Sequence, residues 1–474
     1  MTDQAAPPPA PPQAPAPAAA PPGAPPAPPH PPATDPVPPE VLARAAELYV
    51  ALHRDPELAG AERRTAGRFA TALRAAGFEV TGGVGGHGVV GVLRNGPGPA
   101  VMLRAELDAL PVREETGLPY ASTATARGPE KGTRVPVMHA CGHDAHLAAL
   151  TGAAATLAAA PGSWRGTLLA VGQPAEETLA GAAAMLGDGL YERFPRPAYV
   201  LAQHVVPLPA GMVAHAEGAL LAGSATLEVV LHGRGGHAGA PHLAADPVIT
   251  AAAVVLRLQT VVSRETGPGE PLVVTVGAVR AGTPGGGNVI ADRATLEVTV
   301  RAFTDAALER AVAAVRRIVR AEAAAAPEPT PPEPEIRVLS RSRPTVPDPH
   351  LTATVRAAHQ AALGPHRVTR WQPSLATEDF ALYGDAGREL HGVEGIRTAY
   401  WMLGATGPRQ WAAAAPPGAD AATRLAALPP NHSPRFAPHP RLTLHTAITA
   451  LTTAAQAALT APPEPPTDPP GTAG

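Results

Sequence analysis

Cysteine is nearly absent from this sequence, since Cys141 is the single one in 474 residues. An intrachain disulfide is therefore impossible, which excludes a small secreted scaffold held by disulfides and favours a reducing compartment. The N-terminus lacks the charged region and apolar core of a signal peptide. The most apolar segment, residues 147–160, is about 14 residues long, below the roughly 20 that a membrane-spanning helix needs. We therefore expect a cytoplasmic protein with no membrane partner.

An excess of charge of one sign is also missing. The chain has 37 Lys and Arg residues against 40 Asp and Glu residues, and its formal net charge is −3. Proteins that bind nucleic acids or anionic membranes normally carry a basic patch or stretch. We expect no nucleic-acid partner, and the weak net charge fits a small-molecule substrate.

Proline, in contrast, is abundant, but it is concentrated at the two ends of the chain. Of the 60 prolines, a large share lies in residues 1–38 and 461–474. Neither segment has the apolar periodicity that offsets chain entropy on folding. We predict that both are disordered Pro-rich tails around a globular region.

The globular region begins with strands and helices in alternation. Short β-branched segments at 87–94, 100–107, 167–173 and 199–205 predict strands, and helices are expected at about 142–159 and 177–190. This alternation predicts an α/β fold, with a largely parallel sheet in an α/β/α catalytic domain. Residues 39–220 form its first part and residues 344–460 its second.

The segment between these parts has a different order of elements. Residues 226–339 follow a β-α-β-β-α-β pattern, which predicts a ferredoxin-like α+β unit. Such a compact unit can be inserted into another domain through two nearby connections. We predict an inserted lid and dimerisation domain over residues 221–343.

The densest chemical signal is MHACGHDAH, which brings Cys141 and His143 together with His139, Asp144 and His146. Thiolate and imidazole groups are good zinc ligands, so we favour a metal site over a polar helix N-terminus. A second alternative stays open, in which Cys141 is a nucleophile activated by a neighbouring histidine or by the helix dipole.

Two adjacent carboxylates, Glu176 and Glu177, follow the apolar segment TLLAVG. At the carboxyl end of a buried strand one can bind a metal while the other accepts a proton from water. Acids in the first turn of a helix are the structural alternative. His204 and His432 raise the number of candidate ligands to five, which is more than one tetrahedral ion needs and makes two ions plausible.

With these motifs, the sequence resembles the co-catalytic metal amidohydrolases, a family that includes hippurate hydrolases, auxin-conjugate hydrolases and N-acyl-amino-acid amidohydrolases. The resemblance covers about residues 39–459. It is carried, in the family's order, by HRDPELAGAERRT, LRAELDALP, MHACGHDAH, QPAEE, HVVPLPAG, GGHAGAPHLAADP, NVIAD, TEDF and NHSPRF.

The resemblance implies a role for each candidate residue. Cys141 would bridge two divalent ions (Zn, Mn, Co or Ni), with Glu177 and His432 completing one site and His143 and His204 the other. Glu176 would be the general base and then the acid, and Asp108 would orient the metal ligands. The implied substrate-side groups are His237, contributed by the lid of the partner subunit in a homodimer, and Asn288 and Arg301.

Two positions depart from the family. Glu106 stands where Asp is more common, and Val298 where Gly is usual. Neither is a proposed ligand or base. We therefore predict a metal-dependent hydrolase that cleaves the amide bond of N-acyl or N-aroyl amino acids by metal-activated water. The alternatives are a metal-independent thiol hydrolase that uses Cys141, and a non-catalytic relative that binds a metal or ligand.

Overall fold

The computed structural model describes residues 37–128, 132–327, 329 and 331–460. Most of the segment predicted as an N-terminal tail, and all of the segment predicted as a C-terminal one, lies outside these residues. Of the residues predicted as tail, Val37 and Pro38 are described, and Val37 is buried.

The strands and helices follow one another in the predicted alternation. The strands are β1 (Glu79–Val84), β2 (Gly88–Asn95), β3 (Ala100–Glu106), β4 (Thr125–Arg127), β5 (Arg134–Pro136), β6 (Gly166–Gln173), β7 (Tyr199–Pro209), β8 (Val213–His215), β9 (Gly223–His232), β10 (Gly236–His237), β11 (Leu272–Ala281), β12 (Val289–Ile290), β13 (Arg293–Ala302), β14 (Glu335–Ser342), β15 (Val368–Arg370) and β16 (Arg397–Thr406). The α-helices are α1 (Pro39–Arg54), α2 (Arg63–Ala75), α3 (His143–Ala159), α4 (Gly181–Gly187), α5 (Leu190–Arg193), α6 (Pro247–Arg264), α7 (Asp305–Ala324), α8 (Pro349–Leu363), α9 (Arg388–His391), α10 (Pro408–Ala413), α11 (Ala421–Ala427) and α12 (Pro440–Thr460).

The larger sheet has eight strands in the order β1-β2-β6-β3-β7-β16-β8-β15. Its central pairs, β6 with β3, β3 with β7 and β7 with β16, are parallel. Alternate residues face opposite layers, because strand side chains point to the two faces in turn. Leu103 and Leu201 pack in the cluster that includes α1, α3, α8 and α12, whereas Met102 and Val200 pack in the cluster that includes α4 and α5. The predicted α/β/α architecture with a mainly parallel sheet is therefore confirmed.

A smaller antiparallel sheet has the strand order β11-β13-β9-β14. This is the order of a ferredoxin-like unit, and α6 and α7 cover one face of the sheet through Leu227, Val298 and Val300. Val298 pairs with both neighbouring strands, and the register shift near it lies in β11 rather than in β13. The boundaries at 221 and 343 stay a prediction.

One predicted element was wrong. The helix expected at about 177–190 is absent over its first turn, since α4 begins at Gly181 and α5 follows separately at Leu190. Leu179 has a positive φ of 56°, a backbone conformation that a helix does not allow. Glu177 therefore lies in a turn and not on a helix.

One helix among the described residues is long and apolar enough to cross a membrane by length and composition. This is α6, with a mean hydropathy of 1.2. Its residues Ala251, Val254 and Leu258 are buried against the smaller sheet. A single helix of this kind is weak evidence for a membrane protein.

Candidate metal centre

Four of the predicted site residues lie at the carboxyl ends of the central parallel strands. Asp108 follows β3, Glu176 and Glu177 follow β6, and His204 lies within β7, which extends beyond the predicted end at 205. This edge is where ligands bind in open α/β sheets. The fold thus brings together carboxylates and an imidazole that are far apart in sequence.

The turn before α3 places Cys141 and His143 at the same edge. Gly142 between them has a φ of 84°, and a Cβ atom built on it would lie 2.3 Å from Cγ2 of Val205. Only glycine fits both the positive φ and the close approach of β7. Asn431 fixes the loop that carries His432, because its Nδ2 donates to the carbonyl oxygens of Cys141 and Val205 at 3.3 and 3.0 Å.

Five candidate ligands form two groups that share one sulfur atom. The ligand atoms of Cys141, His143 and His204 lie within 4.8 Å of one another, and so do those of Cys141, Glu177 and His432. The Cys141 Sγ lies 3.4 Å from His204 Nε2 and 3.2 Å from His432 Nε2. This arrangement has the donors for two ions bridged by one thiolate.

Hydrogen bonds orient two of the imidazoles toward this centre. The Nδ1 of His143 donates to the carbonyl oxygen of Asp108 at 2.9 Å, and the Nδ1 of His204 donates to that of Val205 at 2.8 Å. A proton held on Nδ1 leaves the lone pair of Nε2 free for a metal ion. Asp108 also accepts the backbone N–H of Glu177 through Oδ2 at 2.9 Å, so it contacts both ligand-bearing segments.

Several polar atoms of the centre are buried without a hydrogen-bond partner. They include His143 Nε2, Glu177 Oε1 and Asp108 Oδ1. Unpaired buried polar atoms are costly, and coordination to a cation is one way to stabilise them. In the described residues, the non-glycine positions with positive φ are Ala175, Leu179 and His432, all in the loops of this centre. Backbone strain of this kind clusters at functional sites.

Without a bound cation, the buried surroundings of the centre disfavour the negatively charged forms of its thiol and carboxyl groups. Burial, followed by the carboxylates of Glu177 and Glu176, raises the pKa of the Cys141 thiol well above its ordinary value. Burial likewise raises the pKa of Glu177 to about 7, although His143 opposes this shift. A divalent cation stabilises the thiolate and the carboxylate together, so the residues present fit a metal ion.

Glu176 lies beside the two ligand groups that share Cys141, but it is a member of neither. It is buried, and its Oε2 lies 3.7 Å from His143 Nε2. Burial raises its pKa well above the ordinary value, and Glu378 and Glu177 add to this shift. A raised pKa suits a carboxyl group that takes up and returns a proton.

The centre opens into a cavity of about 610 Å³. Arg301 lines this cavity, and its Nη1 donates to the carbonyl oxygen of Leu375 at 2.6 Å. His237 and Asn288 do not line it. His237 ends β10 and Asn288 directly precedes β12, and both line a separate cavity of about 810 Å³. Within one chain, the structure therefore brings together all the predicted site residues except these two.

Sequence reasoning missed the buried network behind the centre. The guanidinium of Arg104 donates to Glu378, Asp379 and Glu106, and Glu378 also accepts the hydroxyl of Tyr400 at 3.0 Å. The LRAELDALP and TEDF segments contained the arginine and the three carboxylates, but nothing in the spacing showed that they meet.

Glu106, which departs from the family, is part of the same network. Its Oε2 accepts from His146 Nδ1 at 2.7 Å, and His146 Nε2 accepts the backbone N–H of Val205 at 2.8 Å. Both ring nitrogens of His146 are thus engaged, so His146 supports β7 and is not free to bind a metal.

Comparison with known proteins gives the family. Residues 102–424 match the family described as Peptidase family M20/M25/M40. The chain belongs to this family. Hippurate hydrolase from Campylobacter jejuni is 41% identical over 254 residues, which are 53% of this chain and 62% of that enzyme, so the match spans less than two thirds of it.

Two further M20 relatives match over greater lengths. N-acetyl-L-cysteine deacetylase from Bacillus subtilis is 35% identical over 76% of this chain and 80% of that enzyme. The crystal structure of YXEP from Bacillus subtilis, a dinuclear metal-binding peptidase from family M20, superposes with a TM-score of 0.64 at 26% identity, covering 88% of this chain and 98% of that one. The predicted family and a metal-dependent amidohydrolase activity are confirmed, and the dinuclear M20 structure supports two divalent ions per subunit.

Proposed function

We propose that this M20 enzyme hydrolyses the amide bond of small N-acyl or N-aroyl amino acids. The observation that carries the proposal is the pair of ligand groups that share Cys141 beside the buried Glu176, at one end of a cavity. Relatives named for acting on hippurate and N-acetyl-L-cysteine support the same substrate class.

The two ligand groups support a proposed role for each residue. His143 and His204 would hold one ion, Glu177 and His432 the other, and Cys141 would bind both. Bound divalent ions supply Lewis-acid polarisation of an amide carbonyl and a water molecule of lowered pKa. We expect zinc, manganese, cobalt or nickel, since mixed sulfur, nitrogen and oxygen donors accept each of them.

Glu176 is the proposed proton carrier. Its carboxylate accepts a proton from the attacking water and later donates it to the nitrogen of the leaving amine. Asp108 keeps the neighbouring ligands in place, because it accepts from the backbone of Glu177 and its carbonyl accepts from His143. Arg301 has guanidinium N–H groups beyond the one that binds Leu375, and these suit the carboxylate of the amino-acid portion.

His237 and Asn288 enter the proposal through a second subunit. They lie in the segment predicted as the lid, which also carries exposed apolar residues: Ile249 and Leu256 on α6 and Val289 on β12 expose 68%, 73% and 62% of their surface. Exposed apolar groups of this kind mark interaction surfaces. We propose a homodimer in which this surface binds a second copy of the chain and His237 and Asn288 complete the partner's active site. A reducing compartment such as the cytoplasm suits the single thiol.

The thiol-hydrolase alternative is less consistent with the electrostatics. A nucleophilic cysteine needs a lowered pKa, whereas burial and two carboxylates raise that of Cys141. A non-catalytic relative has no need for a buried base such as Glu176 beside a complete ligand set.

Removal and return of the metal tests the proposal. We expect a chelator to abolish hydrolysis of N-acyl amino acids, and a divalent metal to restore it. Glu176→Gln keeps the shape of the side chain but removes its proton-accepting carboxylate, so it should lower kcat at least about 100-fold while metal content stays near wild type. Glu192→Gln, at an exposed glutamate on α5, is the matched control.

Two results would contradict the proposal. Full turnover after complete chelation, with loss of activity on thiol alkylation, supports the thiol hydrolase instead. Retained turnover in Glu176→Gln removes Glu176 as the base.

A further inference from the structure

One face of the smaller sheet carries hydroxyl groups where it covers the catalytic cavity. Ser224 and Thr226 on β9, Thr299 on β13 and Ser340 on β14 all line this cavity, together with Arg301. The residues that alternate with them, such as Leu227 and Val300, are buried under α6 and α7. Strand alternation therefore directs one set of side chains into the lid core and the other toward the substrate.

The hydroxyl groups form a row across all four strands of the sheet. Ser340 pairs with Thr226, Thr226 with Thr299, and Thr299 with Thr275 on the outer strand β11. The Oγ1 atoms of Thr226 and Thr299 lie 3.1 Å apart, which is a hydrogen bond between two hydroxyls. One hydroxyl hydrogen serves this bond, so the other is left to donate elsewhere.

The position of the hydroxyl groups on an exposed strand surface does not by itself explain why this row is uncharged, because the next row on the same sheet face is different. That row contains Glu297, Glu228 and Arg337, and its charges are compensated within the sheet, since Glu297 forms an ion pair with Arg280 at 2.6 Å and Arg337 lies 3.8 Å from Glu228. The row above the cavity has uncharged hydroxyls instead. It therefore offers a hydrogen-bond donor at the substrate and no competing acid.

The rest of the cavity lining includes a different chemistry. Val206, Leu221, Met402 and Trp371 are among the other residues that line the same cavity, and their side chains are mainly apolar. An acyl or aroyl group suits these residues, whereas the polar part of the amino-acid portion suits the hydroxyl row.

The position of Arg301 relative to the hydroxyl row indicates how long the substrate side chain must be. Arg301 and Thr299 are two residues apart on one strand face, so their Cα atoms are about 7 Å apart, and the Arg301 guanidinium lies at the carbonyl oxygen of Leu375. With the substrate's α-carboxylate at Arg301, its side chain must extend over several bonds to bring an oxygen atom to the hydroxyls. The length of a glutamine or glutamate side chain meets this requirement.

We propose that Thr226 and Thr299 select amino-acid portions whose side chain ends in a hydrogen-bond acceptor, a carboxamide or carboxylate of glutamine or glutamate length. This inference rests on the proposed function, because it concerns the same cavity and the same reaction. Both threonines are specificity-determining residues that contact the substrate side chain and not the scissile amide.

The test compares substrates that differ in the acceptor alone. The wild type should hydrolyse N-acetylglutamine and N-acetylglutamate with kcat/KM values at least about tenfold above that for N-acetylnorleucine, which has a similar length and no acceptor. The double variant Thr226→Val, Thr299→Val keeps the branched shape and removes both hydroxyls. It should lose this preference through a higher KM for the two polar substrates. Thr275→Val, in the same row but outside the cavity, should keep the wild-type preference.

The possible failures can be told apart. A wild type that hydrolyses N-acetylnorleucine as efficiently as N-acetylglutamine overturns the inference and leaves the proposed function intact, as does a double variant that keeps the preference. A wild type that hydrolyses no N-acyl amino acid, with either acetyl or benzoyl as the acyl group, contradicts the proposed function and the inference together.

Discussion

Two buried histidines, His215 on β8 and His359 on α8, lie away from the metal centre and contact each other. His215 Nε2 lies 3.0 Å from His359 Nδ1, and His359 Nε2 donates to the carbonyl oxygen of Ala450 at 3.0 Å. Trp401 packs against both rings, and Arg356 adds positive charge near His215. Burial lowers the pKa of His215 to about 3 and that of His359 to about 4.

This pair should make the folded protein sensitive to acid. Both histidines stay neutral in the folded state, while the unfolded chain takes up protons below about pH 6.5. The unfolded state therefore binds more protons between pH 6.5 and about 4, and stability falls as the pH falls through this window. We expect the pair to lower the free energy of unfolding by about 3 kcal/mol between pH 7.5 and 5.5, measured by urea unfolding.

The double variant His215→Asn, His359→Gln separates this effect from proton uptake by the metal ligands. It is expected to be less stable than wild type at pH 7.5 but to lose less stability on acidification. His366→Gln, at an exposed histidine, serves as the control and should follow the wild type. Equal losses in the wild type and the double variant would contradict the assignment.

At the scale of elements, the turn that leads into α3 determines the geometry of two proposed ligands. Gly142→Ala forces a side chain into a backbone conformation with φ of 84° and against Val205. We expect a loss of about 2–4 kcal/mol of stability and a fall of at least about tenfold in metal affinity, because Cys141 and His143 flank the turn. Calorimetric titration of the chelated protein with zinc measures the affinity.

Gly77 provides the matched control for the strain alone. It has a φ of 88° at the end of α2, and no atom lies within 4 Å of a Cβ atom built there. Gly77→Ala should cost stability but leave zinc affinity at the wild-type value. A Gly142→Ala protein that binds zinc as tightly as Gly77→Ala would show that the turn does not position the ligands.

The elements also show how far the sequence alone can lead. Short β-branched segments predicted β2, β3, β6 and β7, and the order of elements predicted α3 and the ferredoxin-like unit, since these signals are local in the sequence. The missing helical turn at Glu177 was not predictable, because the positive φ of Leu179 depends on contacts made in the folded centre. The cluster of Cys141 and His143 was visible as a local pattern. Arg104 and Glu378 are 274 residues apart, and only the topology brings them together.

At the scale of the whole molecule, the catalytic cavity of a single chain lacks two of the predicted active-site residues. His237 and Asn288 line a cavity separate from that of Cys141. If a second subunit supplies them, a dimer has two active sites and each site takes residues from both chains. Two inactive variants with defects in different residues should then complement each other.

Mixing Glu176→Gln with His237→Ala tests this arrangement. In a mixed dimer, one site combines the intact Glu176 of one chain with the intact His237 of the other, whereas the second site carries both defects. Random exchange of equal amounts makes half of the dimers mixed, so activity should recover to about a quarter of the wild-type value. Sedimentation of the mixture should show dimers. A mixture that stays inactive after proven subunit exchange, or a fully active monomer, would place the function of His237 within its own chain or remove it from the reaction.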